Sequence, residues 1–313
     1  MAARATRSAS RAARSSEDDS RCHLLTLSHD ELGVIFDGLA DPLQPVVAVA
    51  LSSTCKGLWT PLRAALKVLK EQHASAVALC RKVKTSCARL CKAHELRWHS
   101  KNLCPDGGLL APDEKSLTAD DMATLSMIVR LNGLPLLQSL DIFDSLGDAG
   151  MQALCAGLNF RSVPSLRSLK LPCTKFKLAG AEALAAALQR GALPSLDTLN
   201  LGRNYFGKQG LARLTAPLRK LPTLKHLLLF DCGIDDEGFA SLLTDLGKDD
   251  FKALEEVTLE FNQLADNSLT MLVSCIKRGA FPRLKHVGIY QHDLPVMSPV
   301  LLALRAALAD RSR

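Results

Sequence analysis

One short motif recurs through more than half of the chain and leaves it few folds to adopt. Leu137, Leu166, Leu196, Leu224, Leu254 and Leu284 follow one another at intervals of 28 to 30 residues. Three residues after each stands Leu140, Leu169, Leu199, Leu227, Val257 or Val287, and two further on Ile142, Leu171, Leu201, Leu229, Leu259 or Ile289. The pattern L-x-x-L-x-L predicts a short strand whose alternate side chains enter a core. Six copies at near-constant spacing make the repeat the organising fact of the sequence.

The rest of each unit is also patterned. Three residues past the last apolar position come Thr174, Asn204, Cys232, Asn262 and His292, small or polar side chains able to bond the backbone where the chain leaves the strand. The first copy is one residue short in this turn, and its register there stays open. A further apolar residue follows at Phe176, Phe206, Ile234 and Leu264, then a helix that begins near Gly150, Gly180, Gly210 or Gly238, where a missing Cβ allows close backbone approach. Leucines four apart (154 and 158, 184 and 188, 214 and 218, 242 and 246) line one helical face. Leu193-Pro194, Leu221-Pro222 and Phe281-Pro282 are expected to end each helical half and return the chain to an extended path.

A single unit of this kind cannot bury its own apolar face, so neighbouring units must stack and share a core. The residues from about Leu117 to Leu294 resemble the ribonuclease-inhibitor-like class of leucine-rich repeats. That resemblance implies an α/β solenoid with parallel strands on a concave side and helices on a convex side, assigned to residues 102–313. Thr118–Arg130 reads as the helix of an earlier, degenerate repeat, and Ser298–Leu308 as a C-terminal cap.

Ahead of the repeats, residues 22–60 read as a small α-helical module. Ser28 and Glu31 have capping-box spacing, and Leu32, Ile35, Phe36 and Leu39 form an apolar stripe broken at Asp41-Pro42. Further helices are expected from Pro45 to Ser53 and from Cys55. Glu31-Leu32, Ile35-Phe36, Leu39, Pro42, Leu51, Cys55-Lys56 and Trp59 resemble an F-box, although Leu27-Ser28 stands for the usual Leu-Pro. The resemblance implies that Leu27, Leu32, Ile35, Phe36, Leu39, Pro42, Leu51 and Cys55 bind the adaptor of a cullin-type ubiquitin ligase.

Residues 61–101 are expected to form one long basic amphipathic helix. The stripe Leu62, Leu66, Leu69, His73, Ala76, Cys80, Val83, Cys87, Leu90, His94 carries the prediction. The net charge of the chain is +7, and this segment alone holds ten bases against Glu71 and Glu95. No recognition motif or run of stacking aromatics accompanies the bases, so a solvated helical face is preferred to a nucleic-acid site. Cys80, Cys87, Cys91 and His94 lack paired zinc-ligand spacing; no metal or other cofactor is expected.

The ten cysteines are scattered, without the framework of a disulfide-stapled domain. No signal-peptide core opens the chain and no membrane span is expected, which favours reduced thiols in a cytoplasmic or nuclear protein. Residues 1–21 read as a disordered tail. Arg4, Arg7, Arg11 and Arg14 among Ala and Ser also fit an organelle transit peptide over 1–16, but Glu17, Asp18 and Asp19 follow at once.

Catalytic signatures are not found. Gly202 to Gln209 nearly matches the phosphate-cradling G-x-x-x-x-G-K-[ST], yet Gln209 replaces the Mg²⁺-binding hydroxyl. A protein-binding role is therefore expected. Between the apolar strand residues, the alternation turns Asp141, Phe143, Lys170, Asn200, His226, Leu228, Phe230, Glu256, Glu260, His286 and Tyr290 toward solvent on the concave face. Exposed Phe143, Leu228, Phe230 and Tyr290 beside Glu256 and Glu260 would suit a protein with an apolar centre and a basic rim. The leading expectation is a ligase substrate receptor. The alternatives are a scaffold without a ligase link and a GTPase-activating protein using Arg203.

Overall fold

The computed structural model describes residues 27–53, 56–99, 116–131, 133–247, 249–289 and 298–309. The chain divides into two compact units, Met1–Ala78 and Leu79–Arg313. The expected tail and transit segment, Cys55, Tyr290 and His292 lie outside the described residues.

In the first unit, α1 (His29–Leu39) starts at the expected capping box: Ser28 Oγ accepts from Glu31 N–H, and the Glu31 carboxylate accepts from Ser28 N–H at 2.8 Å. α2 (Val46–Ser53) follows a turn in which Asp41 Oδ1 accepts from Leu43 N–H. α3 (Lys56–Lys82) begins the next run. Leu32, Phe36, Ala48, Leu58, Leu62, Leu66 and Leu69 form one buried cluster. At roughly 1.5 to 3 kcal/mol per buried apolar side chain, α3 is part of what holds α1 and α2 together.

The expected single helix over 61–101 breaks at Lys82. Thr85 and Ser86 favour a turn and a cap over a helix interior. Ser86 Oγ caps the short α4 (Cys87–Leu90), and Glu95–His99 forms a strand, β1, with Leu96 and Trp98 turned into the core. Alternation of apolar and polar residues decides that stretch, and β1 joins the sheet ahead of residue 102.

The second unit then alternates α5 (Ala119–Arg130), β2 (Ser139–Phe143), α6 (Gly147–Gly157), β3 (Ser168–Lys170), α7 (Leu178–Gln189), β4 (Thr198–Asn200), α8 (Gly207–Arg219), β5 (His226–Leu228), α9 (Asp236–Leu243), β6 (Glu256–Thr258), α10 (Asp266–Lys277), β7 (His286–Gly288) and α11 (Pro299–Ala309). The strands make one parallel sheet in sequence order, β1 to β7. Successive helices pack on one another, and α11 covers α10. This is the strand-and-helix stacking that the repeat predicts. Among the described residues no helix is long and apolar enough to cross a membrane.

The turn after each strand is built from buried hydrogen bonds. Asn204 Nδ2 donates to the carbonyls of Leu171 and Leu201 at 2.7 and 2.9 Å, and Asn262 Nδ2 to those of Leu229 and Leu259 at 2.7 and 3.0 Å. Thr174 Oγ bonds Leu171 O, and Cys232 Sγ bonds Leu201 O. The shortened first copy is served by Asp144, which is buried and accepts from Leu117 N–H at 2.7 Å. Beneath this ladder Phe176 stacks on Phe206 with centroids 5.6 Å apart.

Two local expectations are corrected. Leu193 and Phe281, which precede prolines, are not extended; both take left-handed backbone, at φ 61° and 54°. Each side chain is buried, and seating it in the core while the chain reverses outweighs the local preference. Leu246 is not on a helix, because α9 ends at Leu243 and Asp245 turns the chain at φ 54°.

Candidate functional site

Strand register sets the candidate surface. Because Leu140, Ile142, Leu169, Leu171, Leu199, Leu227 and Val257 are buried toward the helices, the residues between them occupy the other face of the sheet. Glu95, Ser139, Ser168, Thr198, His226, Glu256 and His286 pair in one row. Arg97, Asp141, Lys170, Asn200, Leu228, Thr258 and Gly288 pair in the next. Phe143, Phe230 and Glu260 lie two residues further along their chains, at the exit end. Ten of the eleven sequence-predicted residues therefore share one face; the eleventh is Tyr290.

Their exposure differs from expectation. His286 is exposed, but Asp141, Phe143, Lys170, Asn200, His226, Leu228, Phe230, Glu256 and Glu260 are half-buried. Phe143 stacks on His99 with centroids 5.6 Å apart. A Cβ on Gly202 would lie 2.2 Å from Phe230 Cε1, so the Phe230 ring lies across the backbone of the preceding repeat. Phe230 lies down where Gly202 leaves room and Phe143 leans on the His99 ring, and a half-covered ring keeps more apolar surface from water than one standing upright.

Polar contacts cross the strands as well. His226 Nδ1 meets Glu256 Oε2 at 3.0 Å, and His99 Nε2 meets Asp141 Oδ2 at 3.8 Å. Along the entry edge Lys285 donates to Glu255 at 2.6 Å, and this bond holds the Glu255 carboxyl below its usual range. At the exit edge the Asp231 carboxylate raises the pKa of the exposed Tyr205 phenol. Burial pushes the Cys155 and Cys232 thiols up to about 12, so both stay protonated at neutral pH.

The near match to a phosphate-binding loop is accounted for by the fold. Asn204 is fully buried in the turn ladder, and Gly202 lies under Phe230. Among the described residues no three His, Cys, Asp or Glu side chains are grouped to hold a metal ion.

Sequence reasoning missed β1, and with it Arg97 and His99. Leu96 and Leu140 are 44 residues apart, far outside the repeat spacing, so only the alternation in Glu95–His99 could have found that strand. Thr258 was legible as a face residue but carried no sign that its hydroxyl would be unpartnered.

On the expected adaptor surface, Leu32, Phe36 and Pro42 are buried, Leu27, Ile35 and Leu51 are half-buried, and only Leu39 is exposed. The side chains standing out from α1 and α2 are instead Val34 and Val46, each 74% exposed, with Val47 and Val49. An apolar stripe in sequence marks the side turned to the core and cannot by itself mark a docking side.

No curated protein matches the chain. A family model described as Leucine Rich repeat matches residues 220–243, which begin directly after α8 and take in all of β5 and the whole of α9. That match and the parallel sheet of stacked strand-and-helix units together support a leucine-rich-repeat protein.

Proposed function

We propose that this chain is a protein-binding receptor with no chemistry of its own, holding a target protein on the open face of its sheet. The observation that carries this reading is the seven-strand face, where Leu228 and Phe230 lie half-covered beside Glu256 and Glu260. Such arrays bind through extended ordered surfaces, and an apolar centre with polar neighbours is the usual make-up of a protein interface. Leu228→Ala with Phe230→Ala should abolish target capture in a chain whose circular dichroism is unchanged. Capture of the same target by the folded double variant would remove the face from consideration.

The finer reading joins the ribonuclease-inhibitor-like repeats to the F-box-like helices, as the substrate-recognition subunit of a cullin-type ubiquitin ligase. It is supported by the F-box-like run from Glu31 to Trp59. A second support is the set of outward valines on helices that already have a core beneath them. Size-exclusion co-elution with the ligase adaptor tests it, comparing wild type with Val34→Asp plus Val47→Asp. Binding by the wild type and none by the folded variant establishes the link. No binding by the wild type leaves a repeat scaffold without one.

A further inference from the structure

The break between α3 and α4 brings two cysteines together. Cys80 and Cys87 stand seven residues apart in the apolar stripe. On one unbroken helix their Cα atoms would lie roughly 10 Å apart, too far for a disulfide. Instead the chain turns back on itself. Cys80 O accepts from Thr85 N–H at 2.8 Å, Arg81 O accepts from Lys84 N–H at 3.2 Å, and Lys84 takes left-handed backbone at φ 55°. This paired ending closes α3, and Ser86 at once caps α4. The Cys80 and Cys87 sulfurs then lie 3.7 Å apart.

The approach is set by the backbone, because one cap on each side of the turn holds the residue that carries each thiol. Closing the gap to a bond of about 2.0 Å asks each sulfur to move by less than about 1 Å. Their surroundings differ. Cys87 is half-buried, whereas Cys80 is only 2% exposed. Burial first, and then the Cys87 sulfur beside it, push the Cys80 thiol up to about 12, so it stays protonated at neutral pH. Cys91, one turn beyond Cys87, is buried and gives its thiol hydrogen to Ala88 O at 3.6 Å.

We propose that Cys80 and Cys87 are a peroxide-sensitive pair that closes to a disulfide across the α3–α4 turn. Cys87, the thiol open to solvent, gives two electrons to hydrogen peroxide and becomes a sulfenic acid, releasing one water. The Cys80 sulfur then attacks the Cys87 sulfur and displaces its hydroxide. The Cys80 proton leaves with that hydroxide as a second water, and the S–S bond forms. Two thiols and one peroxide thus become one disulfide and two waters. The bond holds α4 against the end of α3, which Lys82 already ties to Asp121 on α5. The turn that leads into β1 can then no longer open.

The full-length protein would be treated with hydrogen peroxide, its remaining thiols blocked with N-ethylmaleimide, and the chain digested with trypsin without reductant. Trypsin cuts after Arg81, Lys82, Lys84, Arg89 and Lys92, so Cys80, Cys87 and Cys91 fall on three separate peptides. Mass spectrometry then reads the partner of each. A Cys80–Cys87 link is expected in most chains, reversed by dithiothreitol and absent from Cys80→Ser and Cys87→Ser. Brief trypsin treatment of the folded protein should cut after Lys84 at least about threefold more slowly once the link has formed. Cys87 joined to Cys91 instead, or Cys87 recovered unlinked from folded wild type, would overturn the pairing. A formed link with an unchanged rate of cutting after Lys84 would overturn its hold on the turn.

Discussion

Asn262 Oδ1 accepts the backbone N–H of Cys232 at 3.0 Å, joining two repeats through one buried side chain. The same oxygen accepts from Ile234 N–H at 3.1 Å, and the amide nitrogen serves Leu229 O and Leu259 O. Two donors and two acceptors thus depend on one residue. Asn262→Ala is expected to lower stability by about 2 to 4 kcal/mol, read from the urea midpoint at unchanged slope. A loss below about 0.5 kcal/mol would mean that water replaces the side chain without cost.

The Phe230 ring occupies the space a Cβ would take on Gly202. Gly202 has no left-handed backbone, so steric overlap alone sets the outcome of Gly202→Ala, an expected loss of about 1 to 3 kcal/mol. Adding Phe230→Ala should return part of that loss. Strict additivity in the double-mutant cycle would show that the two residues do not share the space.

Thr258→Val removes a buried hydroxyl that has no partner. The expected result is unchanged stability or a gain of up to about 1 kcal/mol. A clear loss of stability in thermal unfolding would mean that the hydroxyl is already bonded within the chain.

Asp250 governs part of the acid response. Burial alone would raise its carboxyl, but hydrogen bonds from Lys220 and from Gly247 N–H outweigh burial, and the folded value falls below the usual 3.8. A depressed folded pKa adds stability that is complete above the unfolded value and is lost as pH falls through the folded one. Between pH 5 and pH 2 the wild type should therefore lose more stability than Asp250→Asn. Parallel curves for the two proteins would exclude the contribution.

In the first unit, Val34→Asp should change stability by no more than about 0.5 kcal/mol, because the side chain is 74% exposed. Phe36→Ala should cost about 3 to 5 kcal/mol, since that ring is buried among Leu32, Leu58 and Leu62. Denaturant unfolding followed on α-helix ellipticity reads both. A destabilised Val34 variant would mean that this side of α1 is already covered within the chain.

The strands β2 to β7, their shared face and the ladder positions at Thr174, Asn204, Cys232 and Asn262 were legible in the sequence. All of these follow from spacing, and a repeat that must stack fixes which side chain meets its counterpart in the next unit. The capping box at Ser28 and Glu31 is equally local, needing only residues three apart.

Tertiary structure decided the rest. Cys173, Arg203, Asp231 and Phe261 all take left-handed backbone at φ 52° to 59°, without a glycine among them, because the next side chain must turn into the buried ladder. The collapse of Phe143 onto His99 and of Phe230 onto Gly202, the orphaned hydroxyl of Thr258 and the outward valines of α1 and α2 depend on what neighbouring strands and helices leave open. Periodicity says which face a residue joins. How far it is covered on that face is settled by residues about thirty positions away, whose sizes no local pattern records.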